Sequence, residues 1–232
     1  MKEITLKRDG RLMTVASYVR NGSAVADIGS DHAYLPIMLV KNGIVSRALA
    51  SDVVDGPVKN ARENVNAYGL DGCITVKKAD GLDGIEDFAP DDIIIAGMGG
   101  ELTAAIIERS EYVKNERIRL ILQPMTRAEM LRGFLAESGF DITDETLCEE
   151  DGRVYQVICC HYDGQKHTYT AAELYCGKHI LKKRQPFLKR HIEKTASKLR
   201  DRINGLAAAG KTAESEEKIL CELTNYIKDL TN

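Results

Sequence analysis

A chain of 232 residues with 44% hydrophobic and 29% charged side chains can bury a core without disulfide or metal staples, and no apolar run in it approaches the ~20 residues that cross a bilayer. The charged segment 1–10 lacks the apolar core of a signal peptide, so a cytoplasmic location is expected, and a formal net charge of −3 argues against a uniformly basic nucleic-acid protein. The six cysteines, at 73, 148, 159, 160, 176 and 221, form no CxxC pair, so zinc-ribbon spacing is excluded, no metal is expected, and reduced packing cysteines are the simplest reading.

In chain order, Leu12, Val15, Ala16 and Val19 make one helical stripe, predicting a leading helix. Short apolar runs then predict strands at 24–28, 48–52, 74–78, 92–96, 120–123, 140–143 and 155–160. The fourth of these, with Ile93, Ile94 and Ile95, is apolar on both faces, as in a central parallel strand covered by helices on both sides. Cys159 and Cys160, adjacent in the last strand, should point to opposite faces. Helices fill the crossovers: 35–42 with Pro36 in its first turn and Gly43 beyond its end, 57–68 opened by Pro57 and closed by Gly69, then 102–109 and 127–137. Such alternation predicts a doubly wound α/β sheet.

After Tyr162 the strand signal ends, and Asp163-Gly164-Gln165-Lys166 marks a boundary, dividing the chain into 1–162 and 163–232. Leu188, Ile192, Ala196, Leu199, Ile203 and Leu206, then Leu220, Leu223, Ile227 and Leu230 beyond a break at Gly210, form two stripes that predict an antiparallel coiled-coil hairpin. Charge is uneven along the chain. Residues 178–202 carry ten Lys/Arg and two acids, net +8, leaving −11 elsewhere. A solvated helix face is the ordinary explanation of such a run, but this asymmetry suggests a polyanionic partner, with Lys182, Lys183, Arg184, Lys189 and Arg190 as the candidate contacts.

The chemically informative stretch is Asp27-Ile28-Gly29-Ser30-Asp31-His32, directly after the first strand. Ligands in open α/β sheets bind beyond the carboxyl ends of the strands, and Gly29 lets the backbone approach one closely. Asp31 stands where a dinucleotide fingerprint would have its second glycine, and two carboxylates here would repel a pyrophosphate. They suit S-adenosylmethionine, which has no phosphate but carries a sulfonium and an ammonium. DxGxD by itself is equally an acidic turn capping a helix. The other strand ends add to it. Asp52 ends the second strand, 25 residues beyond Asp27, where an acid can accept both ribose hydroxyl protons; Asp80-Gly81 follows the third, within reach of an adenine edge; and Gly97-Met98-Gly99-Gly100 follows the fourth, allowing close approach of cofactor and base.

The stretches DIGSDHAYLP (27–36), ASDVVDGPVKNARENV (50–65), ADGL (79–82), IIAGMGG (94–100) and ILQP (121–124) together resemble the bacterial tRNA adenine-N1 methyltransferase family that acts on position 22 of tRNA, over residues 5–162 and into the helical appendage. The resemblance implies a class I methyltransferase (Rossmann-like) fold, S-adenosylmethionine as cofactor and tRNA as partner. It implies that Gly29 lines the cofactor, Asp52 holds its ribose and Asp80 lies near its adenine. No NPPY-type motif follows the fourth strand, which argues against exocyclic-amine methylation.

Adenine N1 has a free lone pair, so the expected chemistry is in-line attack on the methyl group without a strong base, with a carboxylate stabilising the cationic product. Asp31 is the first candidate and Asp27 the alternative, with His32 as a hydrogen-bonding group and Tyr34 as a stacking ring. For His32 and Tyr34 a bland loop or packing role remains open. Two other readings stay open too: a methyltransferase for another substrate, and a noncatalytic RNA-binding module that keeps the fold. No obligate protein partner is evident.

Overall fold

The computed structural model describes residues 10–231; residues 1–9, which include the opening of the expected first unit and nearly all of the segment read for a signal peptide, lie outside the described residues. The elements run α1 (Arg11–Ala16), β1 (Ala24–Ile28), α2 (Tyr34–Lys41), β2 (Arg47–Asp52), α3 (Asp55–Ala67), β3 (Ile74–Lys78), β4 (Asp92–Gly99), α4 (Gly100–Glu108), β5 (Arg119–Thr126), α5 (Ala128–Glu137), β6 (Phe140–Glu150), β7 (Arg153–Tyr162), α6 (Ala171–Cys176), α7 (Lys178–Lys183), α8 (Leu188–Ala208) and α9 (Glu214–Thr231). No helix among the described residues is long and apolar enough to cross a membrane.

The strands form one sheet in the order β3-β2-β1-β4-β5-β7-β6. The first five are parallel, and β7 joins β5 antiparallel, carrying β6 on the edge. From β1 the chain winds outward to β2 and β3, then returns to place β4 on the other side of β1. Strand order therefore reverses between β1 and β4, where an open sheet leaves a crevice at its carboxyl edge.

Both faces are covered as the apolar pattern requires. Ile93 and Ile95 of β4 pack with Ile106, Ile107, Leu131 and Leu135 from α4 and α5, while Ile94 packs with Val15, Leu35 and Leu39 from α1 and α2. Cys160 joins the first of these clusters together with Ile158, as expected for one face of a strand. All six cysteines are free thiols, and burial raises the pKa of Cys159 and of Cys160.

Three expectations need correction. The fourth strand does not stop at Ala96: β4 continues through Gly99, with its pairing to β5 shifted around Met98, so Gly97–Gly99 are strand residues and only Gly100 opens a helix. Among the described residues the C-terminal region holds four helices and not two, because α6 and α7 precede the hairpin; α6 starts on a capping box in which Thr170 Oγ1 accepts from the Glu173 amide and Glu173 accepts from the Thr170 amide. The hairpin stripe is also not reserved for its partner helix. Leu188, Ile192 and Leu199 of α8 and Leu223 of α9 share one buried cluster with Cys176, Ile180 and Leu147, so α8 and α9 close onto α6, α7 and the far end of β6.

A buried ion pair fastens this helical cluster to the sheet. Arg132 of α5 and Glu145 of β6 have fully buried side chains, with Nε to Oε1 at 2.7 Å. Arg132 also donates to the Leu174 carbonyl at 2.8 Å and to Gln156 Oε1 at 2.6 Å, while Glu145 Oε2 accepts from the His179 amide at 3.1 Å. Gly177, at φ +92°, allows the close approach: a Cβ there would lie 2.8 Å from both Glu145 carboxylate oxygens.

Candidate active site

The carboxyl ends of β1, β2 and β4 bring the acidic and glycine-rich loops together. Asp27 is buried near the end of β1 and accepts from Ser30 Oγ at 2.5 Å. Burial raises its pKa to about 6, against the lowering effects of the Ser30 hydroxyl and Arg11. The loop then turns on Gly29, at φ +76°, where the amides of Gly29 and Ser30 both donate to the Ser51 carbonyl of β2 at 2.8 and 2.9 Å. A Cβ on Gly29 would sit 2.3 Å from Met98 Cε, so the DxGxD turn and the Gly97–Gly100 segment face each other across this glycine.

Asp31, His32 and Tyr34 form one accessible row. The Asp31 side chain is 60% exposed, with His32 Nε2 3.2 Å from its carboxylate. The His32 and Tyr34 rings stack at 5.0 Å with 15° between their planes, and Asn64 of α3 fixes the loop by donating to the His32 carbonyl at 2.9 Å. Ala33 adopts φ +54° at the N-cap of α2, so Asp31 and His32 lie in the loop just before the helix and Tyr34 is its first residue. Asp52 Oδ1 accepts from the Val54 amide at 2.9 Å, which orients the carboxylate at the end of β2.

On the β4 side, Gly97 has φ +85°, and its amide donates to Gln123 Oε1 at 3.2 Å. Arg11 Nη1 donates to the same oxygen at 2.7 Å and lies 3.6 Å from where a Gly97 Cβ would be. Arg11 and Gln123 are therefore part of the site, although sequence reasoning did not select them. The ILQP stretch contained Gln123, but nothing local marked Arg11, which arrives from 112 residues away. Ser51 was missed as well; its buried Oγ has no hydrogen-bond partner among the described residues.

Two expected contacts take a different form. Asp80 is exposed and paired with Arg109 at the end of α4, Nη1 and Nη2 at 3.2 and 3.1 Å from its oxygens, and these hydrogen bonds lower its pKa. Gly81, at φ +58°, is a packing glycine, since a Cβ there would meet Ile106 at 3.0 Å. Of the basic candidates, Lys183 is ion-paired with Asp144, and Arg190 lies 3.7 Å from Glu149. Lys182 and Lys183 end α7, Arg184 lies in the left-handed turn after it at φ +45°, and Lys189 and Arg190 open α8. The five thus span a helix break instead of one continuous helix.

The donor set fits a cationic adenosyl ligand. Asp27 and Asp31 flank a glycine turn, Asp52 presents a carboxylate at the next strand end, and among the described residues no basic phosphate cradle replaces them. The comparisons agree. A family profile described as tRNA (adenine(22)-N(1))-methyltransferase matches residues 25–229. A Bacillus subtilis tRNA (adenine(22)-N(1))-methyltransferase is 41% identical over 172 residues, covering 74% of this chain and 72% of that protein. A Streptococcus pneumoniae structure in complex with S-adenosyl-L-methionine superposes with a TM-score of 0.81 at 34% identity, over 98% of this chain and all of that one. A Mycoplasma capricolum relative bound to its cofactor product, S-adenosyl-homocysteine, gives 0.79 at 25% identity, over 97% of this chain and 99% of that one.

Proposed function

Since the chain belongs to the tRNA (adenine(22)-N(1))-methyltransferase family, we propose that the exposed Asp31–His32–Tyr34 row receives the target adenine beside a cofactor held by Asp27, Gly29 and Asp52. The protein is an S-adenosylmethionine-dependent enzyme that methylates N1 of an adenine in tRNA. When bound, the cofactor supplies an electrophilic methyl on a positively charged sulfur.

The two loop carboxylates divide the work by environment. Asp27, buried and bonded to Ser30, is placed for a fixed cationic group of the cofactor, while Asp31, open to solvent, is placed for a base arriving from outside. Adenine N1 needs no deprotonation before it attacks, so the protein must align it and accommodate the positive charge that develops on the ring. The Asp31 carboxylate stabilises that charge, His32 holds Asp31 in place, and Tyr34 offers a ring for stacking. N1 is a Watson–Crick atom, so the adenine must be unpaired or turned outward to reach them. At the remaining strand ends, Gly97, Met98 and Gly99 line the methyl-transfer side, and Asp80 with Gly81 borders the adenine side, Asp80 held by Arg109.

We read residues 1–162 as the methyl-transfer unit and 163–232 as the tRNA-binding appendage, with Lys182, Lys183, Arg184, Lys189 and Arg190 as phosphate contacts. The observation that carries the reading is the 60% exposed Asp31 carboxylate beside Gly29. Transfer of labelled methyl groups to an unmodified tRNA transcript, with nucleoside mapping, tests it. Wild-type protein should form 1-methyladenosine and Asp31→Ala should form it about 10²-fold more slowly; wild-type turnover by that variant would remove Asp31 from the mechanism.

A further inference from the structure

A cavity of about 570 Å³ opens between the β5–α5 connection, the start of β7 and one face of α8. Its size lies within the ~300–1,000 Å³ of small-ligand sites. Lys194 and Lys198, one turn apart on α8, face Arg127 and Arg153 across it, with Tyr155 and Tyr175 on its walls. No carboxylate pairs with Lys194, Lys198 or Arg153 among the described residues, whereas Arg127 is shared with Glu101 at 3.2 Å and Glu129 at 3.9 Å.

The cavity also contains an unmet polar group. His191 is 8% exposed and lines the wall, and its buried Nε2 has no hydrogen-bond partner among the described residues. Burial lowers its pKa to about 4, with Arg132, Lys194 and Lys198 adding to the effect, so the ring is neutral. Desolvation followed by repulsion from Lys198, Arg153 and Arg190 lowers the pKa of Lys194, which marks a concentration of positive charge on this side of the cavity, while Glu129 on the opposite wall and Glu216 serve Arg127 and Arg202.

This cavity adjoins the candidate active site. The segment Pro124–Arg127 forms one wall, and its other side touches the β4 glycines: a Gly99 Cβ would meet Thr126 Oγ1 at 3.2 Å and a Gly100 Cβ would meet the Arg127 carbonyl at 2.3 Å. The four residues at the end of β5 and the start of the turn into α5 therefore separate the methyl-transfer side from a basic, aromatic-walled hollow. Cationic side chains that track a backbone, beside rings that accept a base, are the combination used to hold single-stranded nucleic acid.

We propose that this cavity seats an unpaired nucleotide of the tRNA next to the target adenine, with phosphates on Lys194, Lys198 and Arg153 and the base against Tyr155 or Tyr175. The proposal rests on the tRNA reading above and uses residues distinct from the five basic candidates at the α7–α8 break.

The test uses the full chain and unmodified tRNA. Lys194→Glu/Lys198→Glu changes exposed positions on α8, and its fold is checked by melting temperature and donor calorimetry. The variant should bind donor as wild type, bind tRNA at least about tenfold more weakly, and lose about 1.4 from the salt slope, at ~0.7 per single-strand phosphate. Tyr155→Phe should keep tRNA affinity and Tyr155→Ala should lose about tenfold, as expected if a base stacks there. A folded double reversal with unchanged tRNA affinity and salt slope would overturn the proposal. So would adenosine monophosphate binding that the reversal abolishes while tRNA binding persists, since the hollow would then serve a free nucleotide. Wild-type methyl transfer is scored separately, so failure of the tRNA reading is distinguishable from failure of the cavity.

Discussion

Replacing Arg132 by Met should test how the C-terminal helices are held to the sheet. Arg132 Nε, Nη1 and Nη2 each donate one hydrogen bond, to Glu145, the Leu174 carbonyl and Gln156, joining α5, β6, β7 and α6. The substitution keeps most of the side-chain volume but leaves the Glu145 carboxylate fully buried with, among the described residues, a single remaining donor, the His179 amide. Breaking a buried pair by removing one partner costs about 3–5 kcal/mol. For a chain of this size ~1 kcal/mol moves the melting temperature by about 2–4 °C, so a drop of roughly 6–20 °C is expected. Urea unfolding at pH 7.5 should show the same loss as a lower midpoint. Arg132→Met/Glu145→Met removes the stranded charge and should be more stable than Arg132→Met alone, because apolar side chains of similar volume often replace a buried ion pair at little cost. A loss below ~1 kcal/mol for the single variant, or a double variant no more stable than the single, would refute the reasoning.

Four further outcomes follow from the site. Asp27 is buried with a pKa raised to about 6, so its ionised form is disfavoured in the free protein and favoured by a cationic ligand. Donor affinity should therefore fall as pH drops from 7.5 through 6, with proton release on binding near pH 6; Asp27→Asn should weaken binding at pH 7.5 and flatten that dependence, and a Kd unchanged from pH 7.5 to 5 would contradict it. The same shift makes the free protein less stable as pH rises from about 4 to about 6, so Asp27→Asn should melt higher than wild type at pH 7.5 in the absence of donor. Asp31→Ala, in an exposed loop, should alter stability by less than ~0.5 kcal/mol while lowering methyl transfer about 10²-fold, read by melting and by a labelled-methyl assay. Gly100→Ala should cost about 1–3 kcal/mol, since its Cβ would meet the Arg127 carbonyl at 2.3 Å and backbone must move; a neutral effect on melting would mean that the β5–α5 connection yields freely.

Much of this protein is legible from local pattern. The seven strands, the crossover helices and the punctuation by Pro36, Gly43, Pro57 and Gly69 depend on residues adjacent in the chain, and the acidic turn at Asp27–Asp31 announces itself by following an apolar strand. So do Asp52 and the β4 glycines, because the ends of parallel strands share one edge of the sheet. Where the sequence misled, the deciding contact came from far away. Gly97–Gly99 read as lying beyond the end of the fourth strand but stay in it because β5 continues to pair with them. Other pairings were invisible to the sequence without contradicting it: Asp80 is held by Arg109 and Lys183 by Asp144, between segments 29 and 39 residues apart that no spacing rule reports. α6 and α7, six residues each, are too short to show a period, although the Thr170/Glu173 capping box was there to be read. The face of α8 that carries Lys194 and Lys198 became distinctive only when packing set it opposite Arg153 and Tyr155, beside a buried His191. Periodicity and strand-end position are properties of the chain, whereas the pairing of one buried or charged side chain with another depends on which surfaces the folded core brings together.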